Sequence, residues 1–295
     1  MISSLFWDVD ILVPISATGL SFSFLTTNLL LWEVLILSLI SFFVGIFGGF
    51  VGLALGTVRL PVLLFFGLPS NIAAGTNIFV SAASSLFGSI GHFREKRVMV
   101  HIVFIMGIPS LIGAFLGGYY SQFASDALLI LLIGVLVFWQ GIELINKSNA
   151  IVSKTIIMDG YFSKNDEFVY RLNRYTFSAG FIGAIIGVLG GLVGLILGSL
   201  RIPALIRILG LDPQKAAGTN MLIGFLMGIS GWVGHAWKGQ VDYGLVISLG
   251  LTAVAGNMIG SKLTGRVDTR FLVLTMGVIL LVVGILLVWR GFGDL

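Results

Sequence analysis

The chain has 295 residues and a formal net charge of +4; 57% of the residues are hydrophobic and only 10% are charged. A soluble globular domain carries about 25% charged residues, so this composition excludes that class and predicts an integral helical membrane protein. There is no cysteine, which excludes disulfides, thiolate metal sites and cysteine nucleophiles. The basic residues lie between long apolar runs, where they act as topology signals rather than as a nucleic-acid surface.

Residues 1–30 mix apolar and polar side chains and are predicted to form an N-terminal interfacial segment. They contain no Lys or Arg, so they do not resemble a secretory signal, which begins with positive charge. Two membrane units are predicted to follow, 31–145 and 175–290. The polar stretch 146–174 is predicted to be the cytoplasmic linker between them. The predicted apolar runs are 31–47, 72–92, 100–121 and 127–145 in the first unit, and 175–190, 191–209, 215–236, 241–262 and 270–289 in the second.

The two units are copies of one another. Gly48–Pro61 and Gly190–Pro203 both read GG-x-V-G-L-x-L-G-[TS]-x-R-x-P, at an offset of 142 residues. Two shorter segments recur at an offset of 143: Ala-Ala-Gly-Thr-Asn at 73–77 and 216–220, and Gly-His at 91–92 and 234–235. Most of the chain is therefore predicted to be one structural unit used twice.

The sequence permits three local architectures for the glycine-rich regions 31–67 and 175–209. Each region could form one long span followed by a short non-spanning segment, two short helices, or a re-entrant hairpin broken at the glycines. A single crossing gives parallel repeats, whereas a hairpin or two short crossings give inverted ones. The positive-inside rule favours inversion. Of the 17 Lys and Arg residues, 13 then fall in cytoplasmic segments, whereas the better parallel orientation places 10 inside and 7 outside. The cytoplasmic segments of the inverted arrangement are 93–100, 146–174, 207–215 and 262–270.

These considerations predict an all-α integral membrane protein with two inverted repeats. Each repeat is expected to contain a broken or re-entrant helix pair plus three transmembrane helices.

Arg59 and Arg201 are predicted to lie inside the membrane at matched positions. An arginine at mid-membrane costs roughly 2.5–3.5 kcal/mol on insertion scales, so two of them indicate a shared use. A proline follows each arginine by two residues and suits the first turn of a helix, which places each arginine at the N-terminus of a half-helix. Such an end, together with a guanidinium group, favours an anion. The alternative is that both arginines reach the interface and hold lipid phosphate or backbone carbonyls.

Further candidate site residues surround the arginines in each copy. The candidates for substrate contact in the motif are its hydroxyls and helix-breaking glycines: Thr57, Ser199, Gly56 and Gly198. The candidates in the two Ala-Ala-Gly-Thr-Asn segments are their polar residues: Thr76, Asn77, Thr219 and Asn220. For the Thr and Asn residues, interhelical hydrogen bonding is the equal alternative. His92 and His235 are candidate proton or gate residues, with an interfacial position as the alternative. No aspartate falls inside a predicted span, so a carboxylate proton relay is not expected.

On the repeated glycine-rich motif, the Ala-Ala-Gly-Thr-Asn segments and the Gly-His turns, the sequence resembles the TauE/SafE sulfite exporter-like family of membrane proteins from about residue 31 to 290. The family's motif is usually a glycine run before the proline. Here Thr57-Val58-Arg59 and Ser199-Leu200-Arg201 occupy that place. The resemblance implies a secondary exporter of small sulfur-containing anions such as sulfite or organosulfonates.

We therefore expect a secondary transporter of a small oxyanion in the cell (inner) membrane, working by alternating access around a midplane site. An anion channel, or a transporter of another small anion such as a carboxylate, is the alternative. An enzyme is not expected, because the chain has no H-E-x-x-H motif and no cysteine. The expected partners are a small anionic substrate and the lipid bilayer, without cofactor, metal or nucleic acid. A homo-oligomer is left open.

Overall fold

The computed structural model describes residues 29–51, 55–154, 174–263 and 269–293, and all regular structure in these ranges is helical. The first half contains α1 (Leu31–Val51), α2 (Gly56–Phe65), α3 (Ser70–Arg94), α4 (Val100–Ile102), α5 (Ile108–Tyr120) and α6 (Asp126–Lys154). The second half contains α7 (Arg174–Val193), α8 (Gly198–Arg207), α9 (Pro213–Trp237), α10 (Tyr243–Leu263) and α11 (Thr269–Gly293). A π-helical turn, Val103–Gly107, joins α4 to α5 into one continuous rod.

The predicted all-α membrane fold is confirmed. Seven helices in the described ranges are long and apolar enough to cross a bilayer: Leu31–Gly49, Ser70–Arg94, Val100–Phe123, Asp126–Asn146, Gln214–Trp237, Tyr243–Gly260 and Val273–Gly293. The predicted interfacial segment and most of the predicted linker lie outside the described residues. Helix α6 continues to Lys154, beyond the predicted end of its apolar run at 145.

In each copy of the motif, a long helix is followed by a half-length one. Helices α2 and α8 have ten residues each, so each is about 15 Å long, half the thickness of a bilayer core. Both begin at the glycine that the sequence marks as a break, and both carry their proline inside the helix at position six.

The break between α7 and α8 shows why the motif needs glycine. Gly194 adopts a left-handed backbone with φ of 71°, and the amide of Leu195 turns back to donate to the Gly190 carbonyl over 2.9 Å. This is the usual way in which a glycine ends a helix. Gly194 also lies directly against the backbone of Ala74 in α3, where any side chain would overlap it.

Corresponding helices of the two halves pack against each other in opposite directions. Between α3 and α9, Gly75 lies against His235, whereas Gly218 lies against His92. Between α6 and α11, Gly134 lies against Val288, and the sequence numbers of the facing residues again run in opposite senses: Leu131 faces Gly291, Phe138 faces Gly284 and Ile145 faces Gly277. Both pairs are therefore antiparallel.

Each long motif helix instead runs parallel to the helix of the other half that it packs against. Along α1 and α10 the contacts advance together: the Ser41 hydroxyl donates to the Leu249 carbonyl, Gly45 lies against Ala253, and Gly49 lies against Asn257. Helices α5 and α7 behave in the same way, with Ser110 against Gly187 and Ala114 against Gly191. The glycines allow these backbones to approach closely.

The loops gather at two ends of the helix bundle. At the end where α3 finishes, called here the α3-exit face, Arg97 lies against Gly218 at the start of α9. At the opposite end, the α3-entry face, Gln240 lies against Gly75. There, Ser70 also donates to Asp126 at the start of α6. The Arg290 guanidinium donates to the Leu64 carbonyl near the end of α2 at this same face.

We expect Gly194→Ala to lower the thermal stability of the purified protein. A non-glycine residue in the left-handed region costs roughly 1–2 kcal/mol, and the added Cβ would lie 2.2 Å from the Ala74 carbonyl oxygen. Thermal unfolding in detergent measures the effect. Gly91→Ala is the matched control, because a Cβ at that helical glycine meets nothing within 4 Å; equal unfolding midpoints for the two variants would contradict the explanation.

Candidate functional site

Arg59 lies buried in the first turn of α2, at the level of the middle of α1 and α3. Its Nε donates to Asn77 Oδ1 over 2.9 Å. One terminal nitrogen donates to Ser41 Oγ over 3.2 Å, and the other donates to Ser81 Oγ over 2.9 Å. All three partners are neutral, so the guanidinium is held by hydrogen bonds without a neighbouring carboxylate among them.

Two of these partners also tie Arg59 to the second half of the chain. Asn77 donates from Nδ2 to the Gly194 carbonyl over 2.9 Å, and Ser41 donates to the Leu249 carbonyl over 2.9 Å. Asn77 therefore uses both ends of its amide, one for the arginine and one for the turn after α7. The position of Arg59 depends on contacts between the two halves.

Arg201 occupies the equivalent place in α8 but has fewer partners. It is completely buried, and its Nη1 donates to Asn220 Oδ1 over 2.9 Å. Its Nη2 lies 3.0 Å from the sulfur of Met227, a weak acceptor, and its Nε has no hydrogen-bond partner. The two arginines are thus equivalent in sequence and unequal in their surroundings.

Several other polar atoms near the arginines are buried and unpartnered. They are Thr57 Oγ1, Ser199 Oγ, Ser85 Oγ and Gln140 Nε2. Buried polar groups are paired in the great majority of cases, so a group of orphans calls for an explanation. Thr57 and Ser199 were predicted as site residues, and the sequence reasoning missed Gln140 and Ser41.

Two small cavities lie on either side of Leu55. The smaller one, of about 10 Å³, is lined by Arg59 together with residues of α1, α3 and α10. The larger one, of about 30 Å³, is lined by polar side chains of α3, α6, α8 and α9: Ser85, Gln140, Ser199 and Asn220. Neither cavity is lined by both arginines; Arg201 reaches the larger one through Asn220, which accepts its hydrogen bond.

The Asn and Thr of each Ala-Ala-Gly-Thr-Asn segment have different surroundings. Asn77 and Asn220 bind the arginines, and Gly56 and Gly198 lie directly against these two amides. Thr76 instead accepts from the amide of Asp242 over 3.0 Å. Thr219 accepts from the amide of Met99 over 3.0 Å. In the structure each threonine thus binds the backbone amide of the residue that directly precedes a helix of the other half.

The two histidines lie at opposite ends of the bundle, remote from the arginines. His235 is buried at the α3-entry face, with Nε2 2.8 Å from the Gly191 carbonyl and Nδ1 2.9 Å from the side chain of Gln240. His92 is half-buried at the α3-exit face, and its Nδ1 has no partner. It lies about 16 Å along α3 from Ser81, at 1.5 Å per residue. Among the described residues, no group of His, Asp and Glu side chains is arranged to hold a metal ion.

A family model described as "Sulfite exporter TauE/SafE" matches residues 37–287 of this chain. The chain is 26% identical to the "Probable membrane transporter protein YunE" of Bacillus subtilis (strain 168) over 269 residues, which cover 87% of this chain and 97% of that protein. It is 27% identical to the "Probable membrane transporter protein YjnA" of the same organism, over 85% of this chain and 98% of that one. A "Probable membrane transporter protein" of Xylella fastidiosa (strain 9a5c) is 24% identical over 84% of this chain and 95% of its own length. No solved structure matches the chain significantly.

We expect Asn77→Leu to destabilise the protein because it removes two buried hydrogen bonds at once. The Arg59 Nε and the Gly194 carbonyl would both lose their Asn77 partner, and each buried unpaired group costs about 1–3 kcal/mol. The unfolding midpoint of the purified protein should fall by several degrees. Asn71→Leu, in the first turn of the same helix, is the control; an equal fall in both variants would contradict the special role of Asn77.

Proposed function

Because the chain belongs to the sulfite exporter TauE/SafE family, we propose that it is a secondary transporter which exports a small oxyanion such as sulfite or an organosulfonate. The observation that carries this proposal is the pair of buried arginines, each in the first turn of a half-length helix at the same point of a repeated motif. Relatives that match over most of their own length are named membrane transporter proteins.

The charge of the arginines supports an anionic substrate. Arg59 is bonded only to neutral side chains, and Arg201 to an amide and a thioether. A cation buried in a low-dielectric interior is costly unless a counter-charge accompanies it. An oxyanion would supply that charge while the substrate is bound, and guanidinium groups and hydroxyls suit its oxygen atoms.

Inverted repeats and alternating access are the proposed architecture and mechanism. The first repeat spans residues 31–145 and the second 175–290, with 146–174 as a cytoplasmic linker. The antiparallel packing of α3 with α9 and of α6 with α11 supports inversion, because parallel repeats would place corresponding helices in the same direction. Rocking of one repeat against the other around a site near the midplane would then expose the substrate to each side in turn.

The distribution of basic residues supports an orientation with the α3-exit face in the cytoplasm of an inner-membrane protein. Exposed Arg94 and Lys96 and the half-buried Arg97 lie at this face, whereas the described loops of the α3-entry face carry Lys238, with Arg290 nearby. Positively charged loops remain on the cytoplasmic side during insertion. In this orientation α1 begins and α2 ends at the outer face, whereas α7 begins and α8 ends at the inner face.

We expect Arg59→Gln and Arg201→Gln each to lower oxyanion flux at least tenfold in proteoliposomes, while the protein still inserts and folds. The substitution keeps hydrogen-bonding capacity and removes the positive charge that the proposed substrate would meet. Uptake of radiolabelled sulfite, and of taurine as an organosulfonate, measures the effect. Uptake of a carboxylate alone by the wild type would favour the alternative substrate class.

Arg207→Gln is the matched control, because Arg207 is exposed at the last turn of the same helix as Arg201. It should transport as the wild type does. Normal flux in both buried-arginine variants would overturn the proposed role of the arginines. Single-channel currents in planar bilayers would show that the protein is a channel and not a carrier.

The orientation can be tested with single cysteines, since the chain has none of its own. We expect Gln122→Cys, at the α3-entry face, to react with a membrane-impermeant maleimide in intact cells. Lys96→Cys, at the α3-exit face, should react only after the membrane is opened. Both residues are exposed, so equal labelling of both in intact cells would contradict the proposed orientation.

A further inference from the structure

The larger cavity beside Leu55 is built from four helices that are distant in the sequence. Ser85 comes from α3, Gln140 from α6, Ser199 from α8 and Asn220 from α9. The site thus combines side chains from both halves of the chain. Gln140 is the first polar side chain after the apolar run 127–139 of α6, and only 7% of its surface is exposed.

Three of these side chains have a buried hydrogen-bond donor without an acceptor. Ser85 Oγ, Ser199 Oγ and Gln140 Nε2 are all buried and without a hydrogen-bond partner. None of the nine residues that line the cavity is an Asp or a Glu. A small cavity with several unpaired donors and no carboxylate among its described lining residues is chemically complementary to an oxyanion, whose oxygens only accept hydrogen bonds.

The smaller cavity lacks this property because its polar groups are already paired. Ser81 accepts from Arg59, Ser84 donates to the Val80 carbonyl, and Asn257 donates from Nδ2 to the Ser84 carbonyl. Among the described side chains of α11, the helix that corresponds to α6, none lines it. The duplicated motif therefore offers free donors at one of its two cavities.

We propose that the oxyanion binds in the larger cavity, and that Gln140 is a specificity-determining residue which donates to it from Nε2. This inference rests on the proposed transport of an oxyanion and adds where the anion sits and which further residue selects it. Ser85 and Ser199 supply the other two donors, and Arg201 supplies positive charge through its bond to Asn220. The volume of about 30 Å³ suits a compact inorganic anion such as sulfite, since a single water already needs about 10–15 Å³ measured with a water-sized probe.

The test is sulfite binding to purified full-length protein, measured by isothermal titration calorimetry in detergent under nitrogen. Gln140→Met removes the donor while it keeps the length of the side chain, and should weaken sulfite binding about ten- to hundredfold, the usual value of a hydrogen bond to a charged group. Gln140→Glu introduces a negative charge and should weaken binding further. Ser85→Ala should weaken binding about tenfold.

Two controls carry the same substitutions outside the cavity. Gln122→Met changes an exposed loop residue, and Ser89→Ala changes a serine one turn beyond Ser85 whose hydroxyl donates to the Leu86 carbonyl. Both should bind sulfite as the wild type does. Size-exclusion profiles and unfolding midpoints identify variants that fail to fold. If Gln140→Glu does not fold, the binding constants of Gln140→Met and Ser85→Ala decide the test.

The outcomes separate this inference from the proposed function. If the wild type binds and transports sulfite while Gln140→Met and Ser85→Ala bind it normally, the site is elsewhere and the inference is overturned, although oxyanion transport stands. If Gln140→Met binds sulfite normally and unfolds at a higher temperature, the cavity holds water only, and the inference is again overturned. If the wild type binds and transports none of sulfite, thiosulfate and taurine, the proposed function fails and the inference with it.

Discussion

Two arginine side chains buried in the protein interior without a bonded carboxylate are the constraint on which the rest of the structure depends. Each guanidinium must be placed where neutral groups can satisfy its donors, and the half-length helices α2 and α8 do this by starting beside the middle of the long helices α3 and α9. The glycines before them permit the break and leave room for Asn77 and Asn220 to approach. Of the two guanidinium groups, that of Arg201 has a nitrogen without any hydrogen-bond partner, where an anion has most to gain.

The two halves hold one another through reciprocal contacts. Asn77 of the first half fixes the turn at Gly194. Thr76 and Thr219 each accept from the amide of the residue that precedes a helix in the opposite half, at the α3-entry face and the α3-exit face respectively. Under the proposed alternating access, such paired contacts would be broken and remade alternately at the two faces. A substrate that bridges α3, α6, α8 and α9 would couple its own binding to that movement.

Duplication has been followed by divergence at the site. The first arginine has three side-chain partners and a cavity with no free donor, whereas the second has an unpaired nitrogen and a cavity with three free donors. The histidines diverge in the opposite sense, since His235 of the second half is bonded through both ring nitrogens and His92 of the first half has an unpartnered nitrogen. The first copy of the motif thus lies beside a cavity whose polar lining groups are paired, while the second lies beside a cavity with several unpaired donors.

The sequence alone determined the helical membrane fold, the duplicated unit, the break at Gly56 and Gly198, and the matched positions of Arg59 and Arg201. These follow from composition, spacing and the local conformational limits of glycine and proline, which act over a few residues. It could not predict that Thr76 and Thr219 bind backbone amides of the other half, that Gln140 and Ser41 lie near the arginines, or that two separate cavities lie at Leu55. Those features depend on which helix faces meet. When apolar residues surround a whole helix, its sequence has no amphipathic pattern to show which side packs against the protein. Only the tertiary structure brought α6 and α8 to the same cavity and left one arginine less satisfied than its copy.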